Sequence, residues 1–274
     1  MLGPRVTPAR AAASNATVTE PQRPARRRRL LAAVAIGLAL PLSVAVAVGV
    51  AAWLATPGVG DLQARVAALA AARGSTVVAP GGVPPLLARA LVDTEDERFY
   101  QNHGIDVIGL GRALLFDLSH GCLCQGGSTI TQQLAKDVYL NGSDAGLNKL
   151  ADMALALKVE LQYGKAQILA DYASIVGVGA ERYGMATGAC DYFGVALGNL
   201  DLPQAALLAG MPQAPSAYDP LVHPADARER RAHVLDAMVA EGDIGEPAEA
   251  AANAAPLVSP PSAPAICRAP APAG

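Results

Sequence analysis

An uncharged run of 26 residues, Leu30 to Ala55, constrains this chain more than any other feature. A helix of that length spans about 39 Å, enough to cross a hydrocarbon core of about 30 Å with some tilt. Trp53 lies near the far end, where an interfacial aromatic is expected, and membrane helices tolerate a kink such as Pro41 would introduce. A cleaved signal peptide usually has a shorter apolar core, of about 7 to 15 residues, so the run favours an uncleaved transmembrane anchor at 30–56.

Positive charge on one side of this run predicts its orientation. Residues 1–29 contain seven arginines, four of them consecutive at positions 26–29, and a single acid, Glu20. Because positively charged segments stay on the cytoplasmic side, 1–29 is predicted to be a cytoplasmic tail and the rest of the chain to face outwards. The sequence thus predicts a single-pass protein of the cell membrane. Its formal net charge of -3 gives no support to nucleic-acid binding.

After the anchor, the sequence predicts a juxtamembrane segment at 61–83, a globular domain at 84–245 and an Ala/Pro-rich tail at 246–274. In the domain, helical periodicity is easy to find and strand alternation is not, so the domain is predicted to be all-α. One periodic set predicts a single apolar helix face: Leu147, Leu150, Ala154, Leu157 and Leu161. The nearly all-apolar stretch 107–118 is predicted to be a helix or a helix pair.

Four cysteines occur, at positions 122, 124, 190 and 267. An extracytoplasmic compartment permits disulfides and the count is even, but the sequence leaves the pairing open. Cys122 and Cys124 form only a weak metal signal, because no histidine or cysteine pair with ligand spacing accompanies them.

The first stretch that suggests chemistry is VDTEDERFYQNHGID, residues 92–106. Two adjacent carboxylates, Glu95 and Asp96, stand beside Phe99 and Tyr100 in a chain that has only three phenylalanines. Paired acids next to scarce aromatics make this stretch a candidate functional site.

A second polar stretch, GGSTITQQLAK, follows at 126–136. Five of the six residues at 128–133 have a hydroxyl or an amide side chain: Ser128, Thr129, Thr131, Gln132 and Gln133. One such residue suffices to cap a helix, and Ser128 is the predicted cap of a helix that begins at Thr129. Lys136 ends the stretch in a chain that otherwise prefers arginine, by seventeen to four, and lysine suits phosphate. At a helix N-terminus, these groups predict a site for a sugar or phosphate.

Asp152 belongs to a third polar pattern. Lys149, Asp152 and Glu160 fall within roughly 80° of helical arc, opposite the leucine face. Either this stripe belongs to a functional site, or Lys149 and Asp152 form a surface ion pair that contributes roughly a few tenths of a kcal/mol. Helix geometry alone leaves both interpretations open.

Four stretches carry, in this order and spacing, a resemblance to a known family: EDERFYQNHGID, GGSTITQQLAK, YGMATGACDYFG and LPQAALLAGMPQAPSAYDP. Over about residues 87–240, the chain resembles the peptidoglycan glycosyltransferases of glycosyltransferase family 51, as in monofunctional transglycosylases and class A penicillin-binding proteins. The resemblance implies a lysozyme-like all-α domain that follows a single N-terminal transmembrane helix. It also implies polymerisation of lipid II into glycan strands with release of undecaprenyl pyrophosphate. The apolar stretch 107–118 and the loop to Gln125 match the family's membrane-dipping subdomain, and a buried core helix is an equal alternative for the first half of this stretch.

The resemblance also implies roles for individual residues. Glu95 matches the family's catalytic base, which takes the proton from the acceptor hydroxyl, and its aromatic neighbours would supply a partly apolar wall. Lys136 and Lys149 match basic positions at the donor diphosphate, where positive charge or a divalent cation such as Mg²⁺ is needed. Asp152 matches a second acid near that diphosphate. Membrane lipids, the growing glycan strand and other cell-wall synthesis proteins are the implied partners.

The donor side departs from the family pattern. Five positions differ from the residues that the family usually has: Asn102, Asp144, Asn148, Asp152 and Ser174. Positions 144 and 148 each lack a usual basic residue, and Asp152 is one methylene shorter than the usual glutamate. The sequence therefore predicts an intact acceptor base and a donor site with less positive charge.

Two alternatives remain. A weak or inactive family member would keep the fold and bind lipid II or a cell-wall partner. A lysozyme-like hydrolase would use Glu95 as general acid, but it needs a second carboxylate across the scissile bond, and no such pair is evident. Transpeptidase activity is not expected, because it needs a Ser-x-x-Lys and a Lys-Thr-Gly motif and no lysine follows Lys165.

Overall fold

The computed structural model of the chain describes Gly3 and residues 23–121, 127–143 and 148–258, apart from the side chains of 23–36, Leu38 and Leu114. Within these residues, the regular secondary structure is helical. The β-type pairing there is limited to an isolated bridge between Gly177 and Tyr183. The prediction of an all-α fold is confirmed for this part of the chain.

The described residues form eleven α-helices: α1 Arg23–Ala55, α2 Leu62–Ala72, α3 Pro85–Glu95, α4 Val107–His120, α5 Ile130–Tyr139, α6 Asn148–Gln162, α7 Lys165–Ile175, α8 Met185–Phe193, α9 Leu202–Gly210, α10 Pro224–Ala240 and α11 Glu246–Ala254. Two short 3-10 helices, Leu197–Asn199 and Met211–Gln213, lie on either side of α9. Helices α3, α9, α10 and α11 each have a proline in their first two positions. Proline favours a helix start because its φ is already helical and its missing N–H would have no intrahelical partner there.

The chain divides into two compact units, Met1–Val48 and Gly49–Gly274. Helix α1 is 33 residues long and contains Pro41. Within the part of the chain that is described, no helix combines the length and the apolarity that crossing a membrane requires.

The core of the second unit lies between two groups of helices. Helices α3, α9 and α10 pack against one another, and α5 packs against α6 and α7. Fully buried apolar side chains fill both groups, among them Leu87, Leu134, Ile168 and Leu208. Because α3 ends at Glu95, the last side chain of this helix contacts both α5 and α10.

The apolar face predicted for α6 is wrong. Its leucines at positions 150, 157 and 161 are 36%, 36% and 76% exposed, whereas Asp152 is 3% exposed. The buried face of α6 consists instead of Leu155, Ala156 and Val159 together with Asp152, and α5 donates hydrogen bonds to Asp152 and Glu160. These hydrogen bonds allow the carboxylate of Asp152 to be buried beside the apolar side chains of the same face.

The segment 246–274, predicted to be an Ala/Pro-rich tail, begins with a helix that packs against α10. Ala252 of α11 is buried, and Arg231 of α10 is completely buried beneath it. The guanidinium of Arg231 donates to the carbonyl oxygens of residues 253, 255 and 256, which lie at the end of α11 and lack intrahelical partners. Helix α2, in the predicted juxtamembrane segment, likewise buries side chains in the core, including Leu62 and Val66.

Cys190, in α8, is disulfide-bonded. The cysteines at 122, 124 and 267 lie outside the described residues, as do Asp144 and Leu147.

Candidate active site

A cavity of about 1170 Å³ opens at the C-terminal end of α3. Its walls come from α4, α5, α10 and the segment 212–218. Of the site residues predicted from the sequence, five line it: Glu95, Ser128, Thr129, Gln133 and Lys136. The other three, Gln132, Lys149 and Asp152, are not among its lining residues.

The carboxylate of Glu95 is held from two sides. Nε2 of Gln133 donates to Oε2 at 2.9 Å, and Nη2 of Arg230 donates to Oε1 at 3.1 Å. The Glu95 side chain is 9% exposed. Burial raises the pKa of Glu95, while the Gln133 hydrogen bond and the Arg230 charge oppose that rise. The site therefore holds an oriented carboxylate with a higher proton affinity than a glutamate in water.

Arg230 is a site residue that the sequence analysis missed. It lies 135 positions from Glu95, so no local pattern links the two. Its Nε donates to the carbonyl oxygen of Gly210 at 2.8 Å, which fixes the guanidinium. The contact needs glycine, because a Cβ at position 210 would lie 2.8 Å from Cγ of Arg230. The adjacent arginines 230 and 231 are a weak sequence signal of this role.

Asp96 joins the end of α3 to the start of α5. Its Oδ2 accepts from the backbone N–H of Ile130 at 3.2 Å, and its Oδ1 accepts from Nδ2 of Asn102 at 2.8 Å. Burial raises the pKa of Asp96 to about 6, although both hydrogen bonds act to lower it. Asn102 also accepts from Nζ of Lys165 at 3.3 Å. Asp96 thus holds the N-terminus of α5 beside Glu95.

Helix α5 begins one residue later than predicted, with Thr129 rather than Ser128 as its N-cap. Thr129 Oγ1 accepts from the backbone N–H of Gln132, and Gln132 Oε1 accepts from that of Thr129, both at 3.1 Å. This reciprocal pair is a capping box. Ser128 is therefore available to accept from Nζ of Lys149 at 2.8 Å.

Asp152 is buried, so the alternative of a surface ion pair is wrong. Its side chain is 4% exposed, against 42% for Lys149. Oδ1 accepts from Nε2 of Gln132 at 2.8 Å, and Oδ2 accepts from Nζ of Lys149 at 3.1 Å. Because Lys149 also contacts Ser128, Asp152 is linked to the cavity wall through these two residues.

The two aromatic residues that follow Glu95 in the sequence, Phe99 and Tyr100, differ in burial. Phe99 is buried, with Nζ of Lys165 at 4.4 Å from its ring centroid, and Tyr100 is 58% exposed. The groups in contact with the Glu95 carboxylate are the polar ends of Gln133 and Arg230. Burial of Glu95 therefore accompanies polar contacts, with no aromatic group bonded to its carboxylate.

Within the described residues, no three histidine, cysteine, aspartate or glutamate side chains converge on a possible metal position. Glu95 and Asp96, the paired acids, accept hydrogen bonds from protein donors instead. These residues do not fit a protein-built Mg²⁺ site.

A family model described as Transglycosylase matches residues 63–239. The chain belongs to this transglycosylase family. The match begins inside α2, in the segment that the sequence analysis separated from the domain. It includes every predicted site residue.

Curated relatives with the name penicillin-binding protein 1A match 59% to 65% of the chain. Penicillin-binding protein 1A of Neisseria flavescens is 41% identical over 161 residues, which are 59% of this chain and 20% of that protein. Penicillin-binding protein 1A of Haemophilus influenzae is 40% identical over 177 residues, 65% of this chain and 21% of that protein. The chain thus spans about a fifth of the length of the curated relatives it matches. A crystal structure of the Haemophilus influenzae protein aligns with a TM-score of 0.41 and 24% identity, covering 67% of this chain and 18% of that chain.

Proposed function

We propose that this transglycosylase domain is a peptidoglycan glycosyltransferase, which polymerises lipid II into glycan strands and releases undecaprenyl pyrophosphate. The observation that carries the proposal is the buried, doubly held carboxylate of Glu95 at the wall of a large cavity. The volume of about 1170 Å³ suits a substrate larger than a single sugar.

In the proposed reaction, Glu95 accepts the proton of the 4-hydroxyl of the acceptor's N-acetylglucosamine. The freed oxygen attacks C1 of the donor's N-acetylmuramic acid and inverts that centre, while the bond from C1 to the diphosphate oxygen breaks. The raised pKa of Glu95 favours proton acceptance, and its contacts with Gln133 and Arg230 keep the carboxylate oriented. An orientation fixed before the substrate binds lowers the entropic cost of reaching the transition state.

The departing diphosphate is proposed to lie along α5. Lys136 lines the cavity on this helix, and the N-terminus of α5 carries partial positive charge. Ser128 supplies a hydroxyl at the same wall, whereas the Thr129 hydroxyl is already bonded to the N–H of Gln132 and the carbonyl oxygen of Gly104. Asp152 holds the ammonium of Lys149 at Ser128 and so acts as a positioning acid, with Gln132 bound to its other oxygen.

We infer that the domain works at the outer face of the cell membrane, anchored through the uncharged run 30–56. Helix α4 exposes apolar side chains that suit contact with lipid: Val107, Ile108, Leu115 and Leu118, each 64% to 73% exposed. Nζ of Lys158 donates to the carbonyl oxygens of Trp53, Thr56 and Pro57, at the end of the run. A reporter enzyme fused after residue 258 tests the topology, and activity of that fusion in the cytoplasm would contradict it.

A second candidate function is binding of lipid II without turnover. It is favoured by the burial of Asp152 away from the cavity and by two exposed acids, Asp226 and Glu229, at the cavity wall. Incubation of the full chain with labelled lipid II, followed by sizing of the products, separates the candidates. Long glycan strands support the transferase, and bound but unchanged lipid II supports the binding module. Shortening of preformed glycan would instead indicate a hydrolase.

A further inference from the structure

The wall of the cavity opposite α5 contains a feature that the proposed reaction leaves unused. We propose that the acceptor saccharide stacks on the ring of Tyr218, and that Gln213 holds the Tyr218 hydroxyl in place. This inference rests on the proposed function. The sugar that stacks on Tyr218 would be the acceptor sugar, whose hydroxyl loses its proton to Glu95.

Charge divides the cavity into two sides. The lining residues from α5 and the turn before it include the cation Lys136 and no acid. The lining residues from α10 include the exposed acids Asp226 and Glu229, together with His233 and with Arg230, whose charge is paired with Glu95. A diphosphate is attracted by the first wall and repelled by the second, so the side near α10 suits the uncharged sugar.

Tyr218 lies on this second side. It is half-buried and lines the cavity in the segment that leads into α10. Among the described lining residues, it is the one phenylalanine, tyrosine or tryptophan. A sugar ring has a polar edge and an apolar C–H face, and an aromatic side chain offers a flat, rigid surface for that face.

The platform is held in place before any ligand arrives. The Arg230 guanidinium lies 5.6 Å from the centroid of the Tyr218 ring, and its Nη2 bonds Glu95 at 3.1 Å. On the far side of Tyr218, its hydroxyl donates to Oε1 of Gln213 at 3.4 Å. The same guanidinium thus contacts both the ring and the base, and Tyr218 and Glu95 line one cavity, so a sugar on the ring face that Arg230 leaves open would share that cavity with Glu95.

Three variants at one position test the platform: Tyr218→Phe, Tyr218→Leu and Tyr218→Ala. The probe is the soluble disaccharide of N-acetylglucosamine and N-acetylmuramic acid, without diphosphate or lipid, titrated against the full chain by NMR. We expect Tyr218→Leu and Tyr218→Ala to weaken disaccharide binding roughly tenfold, as loss of an aromatic contact typically does, and Tyr218→Phe to retain it. The initial rate of lipid II polymerisation at low substrate should fall in parallel.

Tyr183→Leu is the matched control, because the Tyr183 ring contacts the guanidinium of Arg73 at 4.4 Å but does not line the cavity. It should bind the disaccharide as the wild type does. Thermal midpoints of all variants separate loss of binding from loss of fold.

The outcomes distinguish this inference from the function on which it rests. Unchanged disaccharide binding by folded Tyr218→Leu overturns the platform, whether or not the wild type polymerises lipid II. A wild type that does not bind the disaccharide at all overturns it as well. A wild type that binds the disaccharide through Tyr218 but makes no glycan keeps the platform and overturns the transferase.

Discussion

Arg230 and Glu95 form an ion pair of 3.1 Å in which both side chains are 9% exposed. The pair joins α10 to the end of α3 at the cavity wall. Because both charges are removed from water, neither can lose its partner without leaving the other unpaired in the interior. The contact therefore couples the stability of the domain to the protonation of its proposed base.

The first prediction concerns the base itself. Glu95→Gln keeps the size of the side chain and removes the oxygen that accepts the proton. Turnover of lipid II should fall roughly 100-fold or more, which is the usual contribution of a positioned acid-base group, while binding of lipid II persists. Rates from product sizing and a separate binding titration check both parts. Wild-type turnover in this variant would show that Glu95 is not the base.

Removing the partner of Glu95 should change the pH profile. Arg230 lowers the pKa of Glu95, so Arg230→Met should raise that pKa further. Since the base must be deprotonated to act, the acidic limb of the rate profile should move to higher pH. Stability at neutral pH should fall by about 3 to 5 kcal/mol, because a buried carboxylate is left unpaired.

Arg231→Met is the control for Arg230→Met. Arg231 is also buried, but its guanidinium bonds carbonyl oxygens at the end of α11. This variant should lose stability without moving the acidic limb. An acidic limb that stays in place in Arg230→Met would mean that the arginine does not tune Glu95.

A pH-dependent loss of stability is expected from Asp93, in the third turn of α3. Burial and the nearby Asp243 carboxylate raise the pKa of Asp93 to about 7. The folded state therefore keeps a proton that the unfolded chain releases near pH 4, and the free energy of unfolding should decrease as the pH rises from about 4 to about 7. Asp93→Asn should flatten this dependence, measured as thermal midpoints at pH 5 and pH 8. Asp226→Asn, at an exposed position, is the control, and an equal slope in both variants would exclude Asp93 as the cause.

Asp152 is expected to matter for both rate and stability. Asp152→Asn removes the negative charge beside Nζ of Lys149, so turnover should drop about tenfold or more and the thermal midpoint should fall. Asp152→Glu restores the acid that the family usually has and should hold or raise turnover. Rate and thermal midpoint are measured for both variants. Unchanged turnover in Asp152→Asn would show that Asp152 takes no part in the reaction. Glu181 would then be the next candidate for the second acid, because its φ of 57° is unusual for a residue other than glycine.

Local contacts explain what the sequence by itself determined. The helices follow from apolar periodicity, and their starts follow from prolines and from the capping box of Thr129 and Gln132, all within four residues of one another. The polar residues 128–133 lie at a helix N-terminus because Thr129 and Gln132 cap that helix, whereas Lys136 lies in its last turn. The family resemblance also predicted that Glu95, Gln133 and Lys136 belong to one site, because it combines motifs from distant parts of the chain.

Tertiary packing decided the rest, because the deciding partners lie on other helices. The burial of Asp152 beside Leu155 and Val159 of α6 depends on a donor that α5 supplies, and periodicity within α6 contains no trace of that donor. The pairing of Arg230 with Glu95 depends on α10 crossing α3 and on the space left by Gly210. Single-helix patterns rank side chains by polarity, whereas burial of a polar group depends on whether the assembled fold offers it a hydrogen bond.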